Sequence, residues 1–133
     1  LALLIVDKEK QTLQFSGAHR PLFLVRNGEL NEYNGSRKAI GGIPLRKKIE
    51  KDFENHIIDY EPGDQLFIFS DGLPDQIGGP DRKKFQPRRI REILAAEPGT
   101  SMAYFSRAFS QEFYDWMGDE KQVDDVLLIG IEL

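Results

Sequence analysis

The stretch Gln65-Leu66-Phe67-Ile68-Phe69-Ser70-Asp71-Gly72 decides the fold. It runs uncharged from Gln65 to Ser70, is rich in aromatic and branched side chains, and stops at Asp71-Gly72. Such a run is short for a helix and predicts a strand buried on both faces. An ionised Asp closing a buried strand has to be paired, hydrogen-bonded or bound to a cation. Gly72 lets the chain turn sharply and brings backbone close to whatever Asp71 holds. A plain Asp-Gly turn is the alternative. A second carboxylate site, Asp124-Asp125 at the opening of the last predicted strand, weighs against it.

Upstream of that stretch, Glu61-Pro62-Gly63-Asp64 predicts a type II turn, with Pro62 fixing φ and Gly63 supplying φ > 0. Phe53–Tyr60 then reads as a strand and is expected to form a hairpin with Gln65–Ser70. Nearer the start, Leu1–Val6 and Thr12–Ser16 flank the charged loop Asp7-Lys8-Glu9-Lys10 and predict a hairpin with one strand more buried than the other. Pro21–Arg26 and Glu29–Tyr33 flank Asn27-Gly28, which suits a type I′ turn. Gly41-Gly42-Ile43-Pro44 breaks regular structure, and Arg46-Lys47-Lys48 reads as a solvated loop. Downstream, Leu73–Phe85 holds Pro74, Gly78, Gly79 and Pro80 without a period and is expected to be a long loop, the kind that often carries function. A helix follows from about Pro87, with Ile90, Ile93 and Leu94 on one face and Pro98-Gly99 at its end. Thr100 or Ser101 caps the next helix, whose apolar positions are Met102, Phe105, Phe109, Phe113 and Trp116, and Gly118 stops it. Val126–Ile131 is the last strand. Strands first, then two helices, then one strand predicts α+β with mainly antiparallel sheets.

The 133 residues suffice for one domain with a core of its own. A formal charge of 18 − 22 = −4 argues against nucleic acid as a main partner. The sequence has no cysteine, so disulfides, zinc–thiolate sites and thiol nucleophiles are excluded and a reducing cytoplasm is permitted. No apolar run nears the roughly 20 residues of a membrane span and no signal peptide is visible, so no membrane insertion is expected of this segment. The chain opens at Leu1 inside an apolar run, and it is expected to be a piece of something longer.

Asp71 and Asp124 lie 124 − 71 = 53 residues apart. If their strands are antiparallel neighbours, both carboxylates stand on one rim of a sheet. Clustered carboxylates repel unless a cation sits between them or one is protonated. Hard cations such as Mg²⁺ or Mn²⁺ take oxygen ligands and keep waters, and water bound to such a cation is a nucleophile suited to a phosphoester. Capping or solvating a strand end is the plainer role for Asp124-Asp125.

Taken together, Gly17-Ala18-His19-Arg20-Pro21, Gly42-Ile43-Pro44-Leu45, Pro62-Gly63-Asp64, Ser70-Asp71-Gly72-Leu73 and Asp124-Asp125-Val126 follow one another in a familiar order. The chain resembles the C-terminal part of the bacterial sporulation stage II protein E type phosphatases, relatives of the protein phosphatase 2C group. The resemblance implies part of a β-sandwich of that type over residues 1–133, with further strands and two further Asp ligands upstream. It implies a metal-dependent serine/threonine phosphatase with Asp71 and Asp124 as ligands of Mg²⁺ or Mn²⁺, and Asp125 and Gly72 in neighbouring places. It further implies a phosphoprotein substrate, typically an anti-sigma-factor antagonist, and cytoplasmic signalling. Nothing in these residues matches the family's upstream Asp pair, since Asp7 falls in a hairpin loop. Leu127 stands where the family often has Thr, and Arg46 where it often has Gly. A phosphatase fold that has lost its chemistry and serves as a binding or regulatory module is the competing expectation.

Arg82, Lys83, Lys84, Arg88, Arg89 and Arg91 place six basic residues in ten positions. Arg82, Lys83 and Lys84 are candidates for steering a phosphoprotein; a solvated face is the alternative. His19 and His56 read as structural. A P-loop is excluded because no Gly-x-x-x-x-Gly-Lys occurs. A haloacid-dehalogenase-type aspartyl phosphatase is excluded because Leu73 occupies the place of its second acid. Opened sheet edges predict self-association.

Overall fold

Strand β6 (Gln65–Phe69) lies at the centre of the molecule, between two cores. Its alternate side chains leave on opposite sides, Phe67 and Phe69 into one core and Leu66 into the other. That two-sided burial is why the run carries no polar alternation. The computed structural model describes residues 1–41, 52–97 and 100–133.

β6 belongs to a four-stranded antiparallel sheet ordered β4-β3-β6-β9, with β3 at Leu22–Arg26, β4 at Glu29–Tyr33 and β9 at Leu128–Glu132. β3 obeys the same rule as β6: Leu22 and Leu24 face one core, Phe23 and Val25 the other. On one side a second antiparallel sheet, β1 (Ala2–Asp7), β2 (Thr12–Gly17) and β5 (His56–Asp59), covers it through Leu13, Phe15 and Ile58. On the other side lie helices α2 (Gln86–Ala96) and α3 (Met102–Met117), which supply Ile90, Ile93, Leu94, Phe105, Phe109 and Phe113. The Phe67 ring meets Phe105 edge-on with centroids 5.1 Å apart. Fully burying one such side chain stabilises the fold by about 1.5–3 kcal/mol, so the sheet is held from both faces. The architecture is α+β with antiparallel sheets, as expected.

Local signals account for the boundaries. Asn27 and Gly28 both have positive φ, +49° and +80°, as a type I′ turn requires. The Ser101 hydroxyl accepts the Tyr104 N–H and caps α3, and Gly118 ends it at φ +54°. The apolar face of α3 is core. Of the first hairpin, β2 is the more buried strand, while Leu3 and Ile5 of β1 point outward and are exposed.

Three expectations fail. β5 does not pair with β6: it lies in the other sheet, against β2, with Phe15 opposite His56. The intervening turn is built as expected, with Gly63 at φ +91°, but it is a corner between layers. The buried Asp64 carboxylate accepts the Glu61 N–H and the Arg26 guanidinium, while Gly63 and Asp64 bond to Leu133 at the end of β9's sheet. Secondly, residues 73–85 are not a loop throughout. They contain the one-turn helix α1 (Gly72–Asp75) and a small hairpin of β7 (Ile77–Gly78) with β8 (Lys83–Lys84), so α1 joins the two longer helices. Thirdly, the strands at Phe53–Tyr60 and Val126–Ile131 begin later, at His56 and Leu128. Gly42-Ile43-Pro44-Leu45, Arg46-Lys47-Lys48 and Pro98-Gly99 lie outside the described residues. Among the described residues no helix is long and apolar enough to cross a membrane.

Candidate metal centre

β6 and β9 are antiparallel neighbours, with Phe69 opposite Leu128. The chain leaving β6 at Ser70-Asp71 therefore passes the chain that enters β9 from Asp124-Asp125. The crossing is stitched by Ser70: its hydroxyl donates to the Asp125 carbonyl (2.8 Å) and accepts the Leu127 N–H (2.9 Å), and its N–H donates to the Leu127 carbonyl (2.9 Å). Gly72 sits where the two segments are closest. A Cβ on it would stand 2.3 Å from the Asp125 carbonyl oxygen, closer than any side chain tolerates, so only glycine fits. The glycine is required by backbone approach.

Asp71 precedes α1, and its carbonyl accepts the Asp75 N–H (2.9 Å). Its carboxylate caps nothing. It is 58% exposed and lies 3.8 Å from the Arg20 guanidinium. A cavity of about 590 Å³ opens beside it, lined by His19, Arg20, Ser70, Leu127 and Ile129 among others. The Asp124 carboxylate accepts the Asp125 N–H (2.7 Å), and the Asp124 carbonyl accepts the Gln122 side chain (2.8 Å). Both Asp124 and Asp125 are exposed.

Gln76 escapes a reading of the sequence. It is a single amide in a Gly- and Pro-rich segment, with no pattern to mark it. In the structure it is fully buried. Its Nε2 donates to the Ile77 carbonyl (2.9 Å) and the Lys121 carbonyl (3.0 Å), and its Oε1 accepts the Val123 N–H (3.2 Å). Its own carbonyl accepts the Phe85 N–H (2.8 Å) and the Trp116 indole N–H (3.3 Å).

The basic candidates each face an acid. Arg82 pairs with Glu120, Lys83 with Asp81 and Lys84 with Asp75 at the end of α1. Arg88, Arg89 and Arg91 pair with Glu92, Glu112 and Glu32. His56 Nε2 lies 2.9 Å from the Asn34 carbonyl and its ring stacks on Phe15, a structural role. Asp7 ends β1, where its carboxylate accepts the Glu9 and Lys10 N–H groups of the hairpin turn, away from the rim.

The donors on the rim suit a hard divalent cation in kind: carboxylate oxygens, open to water, on backbone fixed by hydrogen bonds. They are few. Among the described residues no three His, Asp or Glu side chains gather into a metal cage.

The family model of stage II sporulation protein E (SpoIIE) matches residues 1–133. No curated relative matches the sequence. Among solved structures, the SiaA-PP2C domain of Pseudomonas aeruginosa is 27% identical with a TM-score of 0.86, over 99% of this chain and 50% of that one. The manganese-presoaked phosphatase domain of SpoIIE from Bacillus subtilis is 19% identical with a TM-score of 0.68, over 100% of this chain and 55% of that one. RsbX in complex with magnesium is 21% identical with a TM-score of 0.58, over 97% of this chain and 53% of that one. The chain thus spans about half the length of the structures it matches.

Proposed function

Because the chain belongs to the stage II sporulation protein E (SpoIIE) family, we propose that it carries part of the active site of a divalent-metal-dependent serine/threonine phosphatase. One observation carries this reading: β6 and β9 bring the Asp71 and Asp124 segments to one rim, at a crossing so close that Gly72 admits no side chain. The fold shared with the SiaA and SpoIIE phosphatase domains supports it.

In this reading Asp71 and Asp124 hold Mg²⁺ or Mn²⁺, and Asp125 lies beside them. When bound, such a cation lowers the pKa of water and neutralises charge developing on a phosphoryl group. The residues of the chain do the rest by placement. Ser70 locks the two segments in register, and Gly72 lets them touch. Arg20 stands 3.8 Å from Asp71 and sets a positive charge beside the rim. The substrate is a phosphoseryl or phosphothreonyl protein, and the family resemblance points to an anti-sigma-factor antagonist in cytoplasmic signalling.

A second reading is a phosphatase fold kept as a binding module, with Asp71 and Asp124 as exposed carboxylates of the rim. Dephosphorylation of a phosphoserine protein by the intact protein separates the two. We expect turnover with Mn²⁺ and none with EDTA. Asp71→Asn and Asp124→Asn should each abolish it without changing the circular dichroism spectrum. Wild-type turnover in either variant refutes the assignment, and a lack of turnover in the parent protein favours the binding module.

A further inference from the structure

Resting on that reading of the rim, we propose that Gln76 is the positioning residue that holds the Asp124 segment in place against the Asp71 segment. The two candidate ligands come from distant parts of the chain. Asp71 is followed directly by α1, and Gln76 is the residue that closes α1. Asp124 follows a stretch, residues 119–123, that has left α3 and not yet entered β9. This stretch has no ladder to hold it. The Gln76 amide supplies the missing partners, taking the Lys121 carbonyl and the Val123 N–H with one planar group. Val123 is the residue before Asp124, so the amide fixes the Gln122–Val123 peptide, one peptide short of the residue that carries the ligand.

The hydrogen bonds also fix how the amide is turned. Both Nε2 hydrogens meet carbonyls, of Ile77 and Lys121, and Oε1 meets an N–H. Turning the group over would set donor against donor and acceptor against acceptor, so its orientation is unique. Gln76 is itself anchored, and not merely anchoring. Its carbonyl accepts the Trp116 indole N–H, and the Gly79 N–H donates to the Trp116 carbonyl (2.7 Å). A Cβ on Gly78 would fall 1.9 Å from that carbonyl oxygen and one on Gly79 would enter the indole ring, so residues 76–79 lie flat on the last turn of α3. The rigid end of α3 thus sets Gln76, and Gln76 sets the approach to Asp124. Among buried polar side chains of the described residues, Asp64 serves the corner between sheets and Gln65 the end of β9's sheet, whereas Gln76 reaches the rim.

Residues that orient metal ligands typically change metal affinity roughly 10- to 100-fold when replaced. The test compares Gln76→Met, which keeps the volume and removes the amide, with Leu13→Ala, a change in the other core at the Asp7–Thr12 end of the β1-β2-β5 sheet, away from the rim, that serves as a stability control. Mn²⁺ affinity of the intact protein is read by calorimetry, and amide hydrogen exchange is read over residues 119–127 without metal. We expect Gln76→Met to weaken Mn²⁺ binding about tenfold or more and to speed exchange at Val123 and Asp125. Leu13→Ala should lower the melting temperature and leave both readings near those of the parent. Equal losses in the two variants, or wild-type affinity with unchanged protection in Gln76→Met, overturn the proposal. A parent protein that binds no Mn²⁺ overturns the metal reading instead. The exchange measurement then decides alone, and unchanged protection at Val123 and Asp125 in Gln76→Met refutes the positioning role.

Discussion

Two aspartates show how one residue type is put to opposite uses. Asp71 keeps its carboxylate half in water with a loose cationic neighbour, which leaves oxygens available to a ligand. Asp64 is 1% exposed and wholly engaged, accepting the Arg26 Nε–H (2.8 Å), a second guanidinium nitrogen and the Glu61 N–H (2.9 Å). Burial alone would push the Asp64 carboxyl up. The Arg26 guanidinium and the Glu61 N–H outweigh it and hold the carboxyl below its usual value of 3.8. A carboxyl depressed on folding contributes stability that is complete above its unfolded pKa and is lost as pH falls through its folded one. We therefore predict that Arg26→Met, which strands the buried carboxylate, destabilises the protein by about 3 kcal/mol at pH 7. The gap to the parent should narrow as pH falls through the carboxyl range and close below it. Urea midpoints measured from pH 7 to pH 3 check this, and a gap independent of pH would mean that lost packing of the Arg26 stem, not the charge, is responsible. The type II turn around Gly63 was legible from Pro62-Gly63. The ion pair was not, because Arg26 and Asp64 meet only through the pairing of β3 with β6.

Among the elements, the hairpin of β7 and β8 is the one whose function is least determined by its sequence. Its strands have two residues each, too few to show a period of two, so the segment reads as loop. The pairing of β5 was illegible for a different reason. A turn sequence specifies a change of direction but does not say whether the chain returns beside itself or crosses to another layer. β6, α3 and the Asn27-Gly28 hairpin were legible because their signals lie within the element. So was the shared rim of Asp71 and Asp124, once β6 and β9 were taken as neighbours. Gln76 left no trace, since one polar residue among glycines and prolines has no meaning until its partners at Lys121 and Val123 are in place. The hairpin starts beside α1 and carries Lys83 and Lys84, the latter tied to Asp75 (3.0 Å). Exposed pairs of this kind are worth about 0–1 kcal/mol, so an incoming phosphoprotein can exchange them at little cost. We predict that reversing the charge of Arg82, Lys83 and Lys84 together raises KM for a phosphoprotein several-fold more than for p-nitrophenyl phosphate. An equal effect on both substrates would leave the cluster as a solvated face.

At the scale of the whole chain, the two cores are closed but the outer surfaces are not. Leu3, Ile5 and Ile57 stand exposed on the outside of the β1-β2-β5 sheet, and Ile57 is 70% exposed. Leu127 and Ile129 are exposed at β9, which ends the other sheet with one edge unpaired among the described residues. Single exposed apolar residues are ordinary, but several of them on a sheet face beside free N–H and C=O groups form a template for another strand. The rim has a parallel shortfall. Affinity for a hard cation rises with the number of charged oxygens and with the rigidity of the site, and the described residues offer Asp71, Asp124 and Asp125 without a three-residue cage. Both facts lead to one prediction for these 133 residues produced alone. They should bind Mn²⁺ weakly by calorimetry, show no turnover of p-nitrophenyl phosphate, and self-associate in light scattering, with the association falling when Ile5 and Ile57 are both changed to Lys. The paired substitution matters because the two side chains lie on the same outer face, so a loss of association would place the contact there. Tight stoichiometric Mn²⁺ binding with turnover in a monomer would show that the carboxylates on this rim suffice by themselves.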